Sequence, residues 1–488
     1  MDSLFTLAYK TLELAAFTSY FIILALIAFL SYRKQKSETD YIIGGRSLNF
    51  WLTALSAHAS DMSGWLFLGY PALIFTTGVT GAWAAIGLVV AMFLNWQFVA
   101  PRLRTITEQT NSLTLSAYFE NRFGDTSGKI RIISAIMSVF FFTFYISSGL
   151  VGLGILVESL FGLNYTIGIS LGLFVVVSYV FLGGYRTIAW IDLFQGFFLL
   201  GVIVAIPTLL IHQIGGMTPI LKVVGEKHLT TSLLPNFEPK TLLTEFLVAA
   251  GWGLGYFGQP HILTKFMGIR KVSEINKAKY LGISWQTIAL GSATLIGLIG
   301  IYAFPEGTHN PEHIVLELVK GTLPTFFSGL ILCAILAATT NVMAAQILVV
   351  ASNLSEDFYK RLVSRKASPV ELLWVSRASV IFISLCAFII AFFNISSIYQ
   401  LVFYSWSGLG ASFGPLVLLS LYRKNLNRQG AFAGILTGGI STGIWYYINN
   451  LYNLGIEALI VGFIFSYISI EVVSWIYREK PMLSNTHQ

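Results

Sequence analysis

Apolar residues recur along this chain in blocks of about twenty, the length an α-helix needs to cross a hydrocarbon layer roughly 30 Å thick. Inside lipid every backbone N–H and C=O must be satisfied within the segment, so such a chain folds as membrane-spanning helices. Thirteen blocks can be delimited, near 15–32, 48–75, 81–101, 131–157, 164–183, 188–212, 242–263, 280–303, 322–354, 372–393, 397–421, 430–448 and 455–477. Composition agrees: 11% of the residues are charged, against about 25% in an ordinary soluble domain. That is too few to coat a water-facing surface. The expected class is an all-α polytopic protein of a plasma (inner) membrane, with the lipid bilayer as its surroundings and residues 1–488 forming one membrane domain.

The formal net charge of +7 comes from Lys and Arg scattered through short connections rather than interleaved with aromatics on one face, so no nucleic-acid partner is expected. Assigned to alternate sides of thirteen spans, 25 of the 30 Lys and Arg fall on one side, leaving Lys10, Lys222, Lys227, Lys240 and Lys320 opposite. Basic loops stay cytoplasmic, which predicts an N-terminus outside and a C-terminus inside. The first block lacks a basic leader and a small-residue cleavage site, so it is expected to remain as a helix. No connection exceeds about thirty residues, and about eleven follow the last block. Neither leaves room for the output module that a solute sensor would need. The two cysteines, Cys333 and Cys386, sit in apolar blocks and read as small buried hydrophobes.

Two blocks are interrupted unlike the rest. In the second, Ser56-Ala57-His58-Ala59-Ser60-Asp61-Met62-Ser63-Gly64 puts a carboxylate near mid-block. An Asp at bilayer depth costs roughly 2.5 to 3.5 kcal/mol on insertion scales and usually faces a cavity, a partner or an ion. An Asp on a kinked packing helix is the plain reading, but the flanking hydroxyls and glycine favour an unwound, ligand-facing segment. In the seventh, Gly251-Trp252-Gly253-Leu254-Gly255-Tyr256-Phe257-Gly258-Gln259-Pro260-His261 carries four glycines and a proline. Gly251 and Gly255 form a GxxxG packing pair, yet Trp252 and Tyr256, four apart and on one helical face, exceed what packing requires.

These interruptions open two successive sets of five spans, 48–212 and 242–421, with 15–32 and the pair at 430–477 outside them. Five is odd, so the sets run oppositely across the bilayer. That is the pattern of inverted repeats with substrate and coupling ion held where helices unwind. Bulky aromatics beside offset breaks fit an occluded site better than a channel filter. Asp192 opens the sixth block, where an acidic residue at a helix N-terminus and an ion ligand are equal readings. Tyr145 lies mid-span, and Thr339-Thr340-Asn341 is a polar cluster among alanines. No P-loop or HExxH occurs, so an enzyme is not expected. His58, three residues before Asp61, is a candidate proton site.

The residues resemble the solute:sodium symporter family, from about Tyr41 to Ile476. The most specific stretches are Asp40 to Leu48, Ala59-Ser60-Asp61-Met62-Ser63-Gly64-Trp65-Leu66, Arg102-Leu103-Arg104, and the thirteen residues Gly251 to Leu263. The resemblance is strongest to members that take up proline. It implies thirteen helices around a LeuT-type core of two inverted five-helix repeats. It also implies a substrate site of Ser63, Gly64, Tyr145, Trp252, Tyr256 and Pro260, and a sodium role for Asp61 and Asp192. Sodium would further use the carbonyls of Ala59 and Met62, with Ala338 across the site. Where the family has adjacent serine and threonine hydroxyls, this chain has Asn341 and Val342, and Val342 supplies no oxygen. Thr339 and Thr340 are one or two residues away, which turns a helical side chain by about 100° or 200° from that site. Alanines at 344 and 345 and His58 are further departures. The expectation is cation-coupled import of L-proline without a cofactor, on sodium, with proton-coupled or sodium-independent amino-acid transport as the alternative.

Overall fold

The computed structural model describes residues 15, 18–20, 22–30, 42–322, 325–452 and 454–477. Asp40 and Tyr41 of the family-like stretch, and Lys10, Arg33, Lys34, Lys36, Arg478 and Lys480 of the charge count, lie outside them. Among the described residues the fold is all helix, with two isolated bridges, Leu48 to Ile269 and Gly78 to Thr230, in place of any strand.

After an apolar helix at Thr18–Leu30, the elements run α1 (Phe50–Ala59), α2 (Gly69–Thr77) and α3 (Val79–Gln109). Next come α4 (Leu115–Phe123), α5 (Lys129–Phe161), α6 (Tyr165–Ser178), α7 (Gly184–Ile214) and α8 (Met217–Glu226). The second half comprises α9 (Pro239–Gly253), α10 (Pro260–Gly268), α11 (Ile275–Ala303), α12 (Ile314–Thr322) and α13 (Thr325–Ser352). It closes with α14 (Pro369–Phe392), α15 (Ile398–Tyr422), α16 (Arg428–Tyr452) and α17 (Ala458–Ile476).

Among the described residues, eight helical stretches are long and apolar enough to span a membrane: α3, α5, α7, Val272–Ala303 (through α11), Ser328–Val363 (from within α13), α14, α15 and α17. Each coincides with a block expected from the sequence. The expected spans 48–75 and 242–263 are divided instead. The former is α1 and α2 separated by a non-α stretch that includes the 3-10 turn Gly64–Leu66, the latter α9 and α10 joined through a 3-10 turn, Leu254–Gly258.

Local chemistry sets these boundaries. Asn49 caps α1 by accepting from Leu52 N–H at 3.0 Å, and Ser368 with Glu371 forms a capping box at α14. Gly184 has φ +62° and ψ −174°, a conformation open to glycine, and so turns the chain from α6 into α7 without a loop. Consequently Asp192 lies two turns inside α7 rather than at a helix start. The sequence reading put the boundary later because apolar residues run across it.

Side-chain contacts sort the helix ends into two layers. At one end Arg46 donates to the carbonyls of Thr107 (2.8 Å), Ser112 (3.0 Å) and Met267 (3.0 Å), and Arg122 to that of Ser420 (2.8 Å). There too Arg131 pairs with Asp357 (2.5 Å) and Glu120 (3.0 Å). At the other end Trp83 donates to Leu233 O, Tyr165 to Ala391 O, and Glu312 accepts from Ile398 and Tyr399 N–H.

Candidate functional site

The α-helical ladder of α1 ends at Ala59. Asp61 and Met62 N–H both reach back to His58 O at 3.3 Å, Ser63 N–H bonds Asp61 O at 3.0 Å, and the chain resumes as a 3-10 turn at Gly64–Leu66. Among these backbone bonds none uses the carbonyl of Ala59 or Met62. Ser63 sits at the cap of that turn, its Oγ accepting from Trp65 N–H at 3.1 Å. Gly64 is required by space, because a Cβ there would lie 2.7 Å from Thr339 Oγ1 on α13. Thus Thr339, expected to turn from the cation ligands, abuts the restart of the broken helix. Its hydroxyl donates to Ile335 O at 2.8 Å.

In the second break a Cβ on Gly255 would stand 1.9 Å from Trp406 Nε1, so only glycine lets α15 approach. Trp406 Nε1–H donates to Trp252 O (2.8 Å), and Gln259 Nε2 donates to Trp406 O (3.0 Å). These bonds replace part of the ladder lost where the helix opens. A π-helical turn in α3, Asn95–Val99, turns the consecutive Asn95 and Trp96 inward, and Asn95 Nδ2 donates to Tyr256 O at 3.0 Å.

The two breaks meet. The Tyr256 hydroxyl donates to Asp61 Oδ2 and accepts from Gln286 Nε2 on α11 at 2.8 Å. A small pocket here is lined by Asp61, Met62, Trp65, Leu88, Tyr145, Trp252, Tyr256, Val402 and Trp406. Trp65 and Trp252 of its lining belong to an aromatic cluster. The rings of Trp65 and Trp252 are 4.9 Å apart, Trp252 and Phe403 4.8 Å, and Trp252 and Tyr399 5.6 Å. Such a chamber offers one carboxylate, two tyrosine hydroxyls and broad apolar faces, with open-ended backbone polar groups at its edge. It suits a small molecule with one charged end and one apolar end.

Of the residues expected to bind substrate, Tyr145, Trp252 and Tyr256 line this pocket, and Ser63 and Gly64 lie two and three residues after Asp61. Pro260 starts α10 and lines a different cavity with His261, Thr264, Lys265 and Tyr185. The expected cation residues divide. Asp61 belongs to the aromatic chamber, whereas Asp192 pairs with Lys265 at 2.9 Å and accepts from Ser56. Asn341 lies within side-chain hydrogen-bonding reach of Asp192. Ala59 and Ala338 are fully buried. His58 accepts from Trp96 Nε1–H at 3.1 Å and packs on Trp285 and Gly282. Sequence reasoning did not single out Trp406, Gln286, Val402 or Lys265. They stand 147, 225, 341 and 73 residues respectively from Gln259, Asp61, Asp61 and Asp192, so no local pattern announces them.

The architecture and this site define a membrane transporter of the broken-helix class. The fold is that of a Na+-coupled sialic acid symporter in a substrate-bound outward-open state, with TM-score 0.81 and 18% identity over 96% of this chain and 98% of that one. MhsT bound to L-phenylalanine is more distant, with TM-score 0.56 and 13% identity over 86% of this chain and 97% of its own. The model of the sodium:solute symporter family matches residues 41–438. This chain belongs to the sodium:solute symporter family. Among its relatives are the high-affinity proline transporter PutP of Bacillus subtilis, 39% identical over 95% of this chain and 98% of the relative. The sodium/proline symporter of Escherichia coli is 37% identical over 96% and 94%. The osmoregulated proline transporter OpuE of Bacillus subtilis is 37% identical over 95% of each.

Proposed function

We propose that this protein imports L-proline across the inner membrane by alternating access, driven by a sodium gradient. The observation that carries the reading is the hydrogen bond between Asp61 and Tyr256, which ties the two broken helices to one buried pocket under Trp65 and Trp252. Relatives named for proline transport, aligned over nearly the whole chain, support the substrate. A proline zwitterion matches the chamber: its ring lies against Trp252 and Tyr256, with Tyr145 beside them, and its carboxylate takes the N–H groups near Ser63 and Gly64. Pro260 starts the helix after the second break and holds that opening in shape. Sodium takes the carbonyls of Ala59, Met62 and Ala338 with Asn341, while Asp61 and Asp192 supply the negative charge.

In this reading the chain crosses the bilayer thirteen times, with the N-terminus outside and the basic end cytoplasmic. Residues 48–212 and 242–421 form the two inverted repeats, and 15–32 and 430–477 are peripheral. A second reading, proton-coupled or sodium-independent transport, is favoured by one observation: Asn341 and Val342 stand where two hydroxyls would complete a sodium shell. Asp61 would then carry the proton, since His58 already accepts the Trp96 N–H.

Radiolabelled proline uptake into proteoliposomes decides between them. Under sodium coupling an inward sodium gradient drives accumulation and a proton gradient alone does not. Proton-driven accumulation selects the second reading. Exchange without either gradient removes symport, and failure of unlabelled proline to compete removes the substrate.

A further inference from the structure

At the end of the bundle that carries Arg46, Arg122 and Arg131, a groove of about 470 Å³ opens between the starts of α5 and α16 and the end of α17. Lys129, the first residue of α5, and Arg428, the first of α16, line it and are both exposed, while Phe432, Val473 and Tyr477 give it apolar and aromatic walls. The walls are tied to one another: Asn427 Nδ2 donates to Ser474 O at 3.0 Å, and Arg423 pairs with Glu471 at 3.1 Å. Asp125 also lines the groove but does not neutralise its cations. Its Oδ1 accepts from Ser127 N–H (3.1 Å) and Oγ–H (2.6 Å), and its Oδ2 from Ile130 N–H (2.9 Å), so both oxygens serve the cap of α5. Among the described residues the side chains of Lys129 and Arg428 have no hydrogen-bond or ion-pair partner.

The helices that form this groove also carry lipid-facing surface. On α17 Phe465, Ile468, Val472 and Trp475 are exposed and recur at spacings of three and four, and on α5 Ile136 and Phe140 are exposed in the same way. An uncovered apolar stripe on a spanning helix meets acyl chains. Trp475 and Tyr477, at the close of α17, are residue types that settle at headgroup depth. Two unpaired cations at that depth, beside an apolar slot, match a molecule with an anionic head and a hydrocarbon tail. Inorganic phosphate would satisfy the cations alone and leave Phe432 and Val473 wet.

We propose that this groove is a binding site for an anionic phospholipid of the cytoplasmic leaflet, with the phosphate between Lys129 and Arg428 and an acyl chain along Phe432 and Val473. The guanidinium offers paired N–H donors to the phosphate oxygens and the ammonium a compact charge. The bound lipid joins α5, within the first set of five spans, to the outlying pair α16 and α17. Its assignment to the cytoplasmic leaflet rests on the orientation proposed above, whereas the binding itself is independent of which ion or solute is carried.

The test uses purified full-length protein in a neutral detergent, with bound lipid counted by native mass spectrometry and its effect read from the thermal transition. Phosphatidylglycerol binds wild type saturably and raises the transition, while phosphatidylcholine with the same acyl chains and inorganic phosphate at matched ionic strength do neither. Lys129→Gln with Arg428→Gln raises the half-saturating phosphatidylglycerol concentration about tenfold or more. Arg365→Gln with Lys366→Gln, which removes two exposed cations from the connection before α14, leaves it within about twofold. Val473→Trp keeps both groove cations, fills the apolar slot and weakens binding as well. Undiminished binding in the Lys129 and Arg428 double variant overturns the proposal, as does an equal loss in the Arg365 and Lys366 pair or equal binding of phosphatidylcholine. Binding insensitive to Val473→Trp, the mark of bare charge attraction, overturns it too, and so does a shift reproduced by inorganic phosphate alone.

Discussion

Asp61 and Tyr256 act as one unit, because each satisfies the other in a place where neither could be left unpaired. Tyr256→Phe keeps the ring and removes the hydroxyl that joins Asp61 to Gln286. A hydrogen bond to a charged group is worth about 1.5 to 3 kcal/mol, so half-saturating concentrations for proline uptake should rise about tenfold or more. Asp61→Asn should reduce gradient-driven uptake to near background while leaving the purified protein folded, as read by its thermal transition. Trp252→Ala, which removes the ring shared by Trp65, Tyr399 and Phe403, should weaken proline binding more than sodium binding in equilibrium titrations. Asn341→Ser with Val342→Thr restores two hydroxyls and should lower half-saturating sodium; no change would direct attention to another ion. Asp61 was legible in the sequence because a carboxylate in an apolar block is rare and demands a reason. The partner of Asp192 was not: Lys265 is 73 residues away, and only the tertiary fold brings the charges to 2.9 Å.

Helices break where glycines and polar residues make the ladder dispensable, but they stay open only if other elements take over the freed backbone groups. At the second break Trp406, Gln259 and Asn95 do this. Gly255→Ala would drive a methyl to within 1.9 Å of Trp406 Nε1 and dislodge the bond that holds Trp252 O. Overpacking of that kind costs about 1 to 3 kcal/mol, so a lowered thermal transition together with impaired proline binding is expected. The interruptions themselves were readable from Gly251 to Pro260 and from Ser56 to Gly64. That the first is a loss of α-helix over only a few residues, and that Thr339 faces it, was not. Side-chain direction on α13 depends on how that helix is rotated against α5 and α7, which spacing along one helix does not specify.

Across the whole molecule, the basic end is bound together by a network in which Arg131 satisfies the fully buried side chain of Asp357 at 2.5 Å and Glu120 at 3.0 Å. Arg131→Met strands that carboxylate, and breaking a buried pair on one side costs about 3 to 5 kcal/mol. Thermal denaturation in detergent should show a large loss of stability that Asp357→Asn, added to it, largely restores. The proposed topology has its own check in a background where Cys333 and Cys386 are replaced by alanine. A membrane-impermeant thiol reagent added outside intact cells should label Lys227→Cys and not Lys366→Cys. The sequence by itself determined the class: apolar block length dictates spanning helices, the sidedness of Lys and Arg predicts orientation, and glycine, proline and Asp61 mark the breaks, all through local chemistry. Only the tertiary structure decided that the two breaks share one chamber, that Trp406 and Gln286 complete it, and that Lys265 neutralises Asp192. Those contacts join residues far apart in sequence, and their geometry is a property of how helices pack rather than of any one helix.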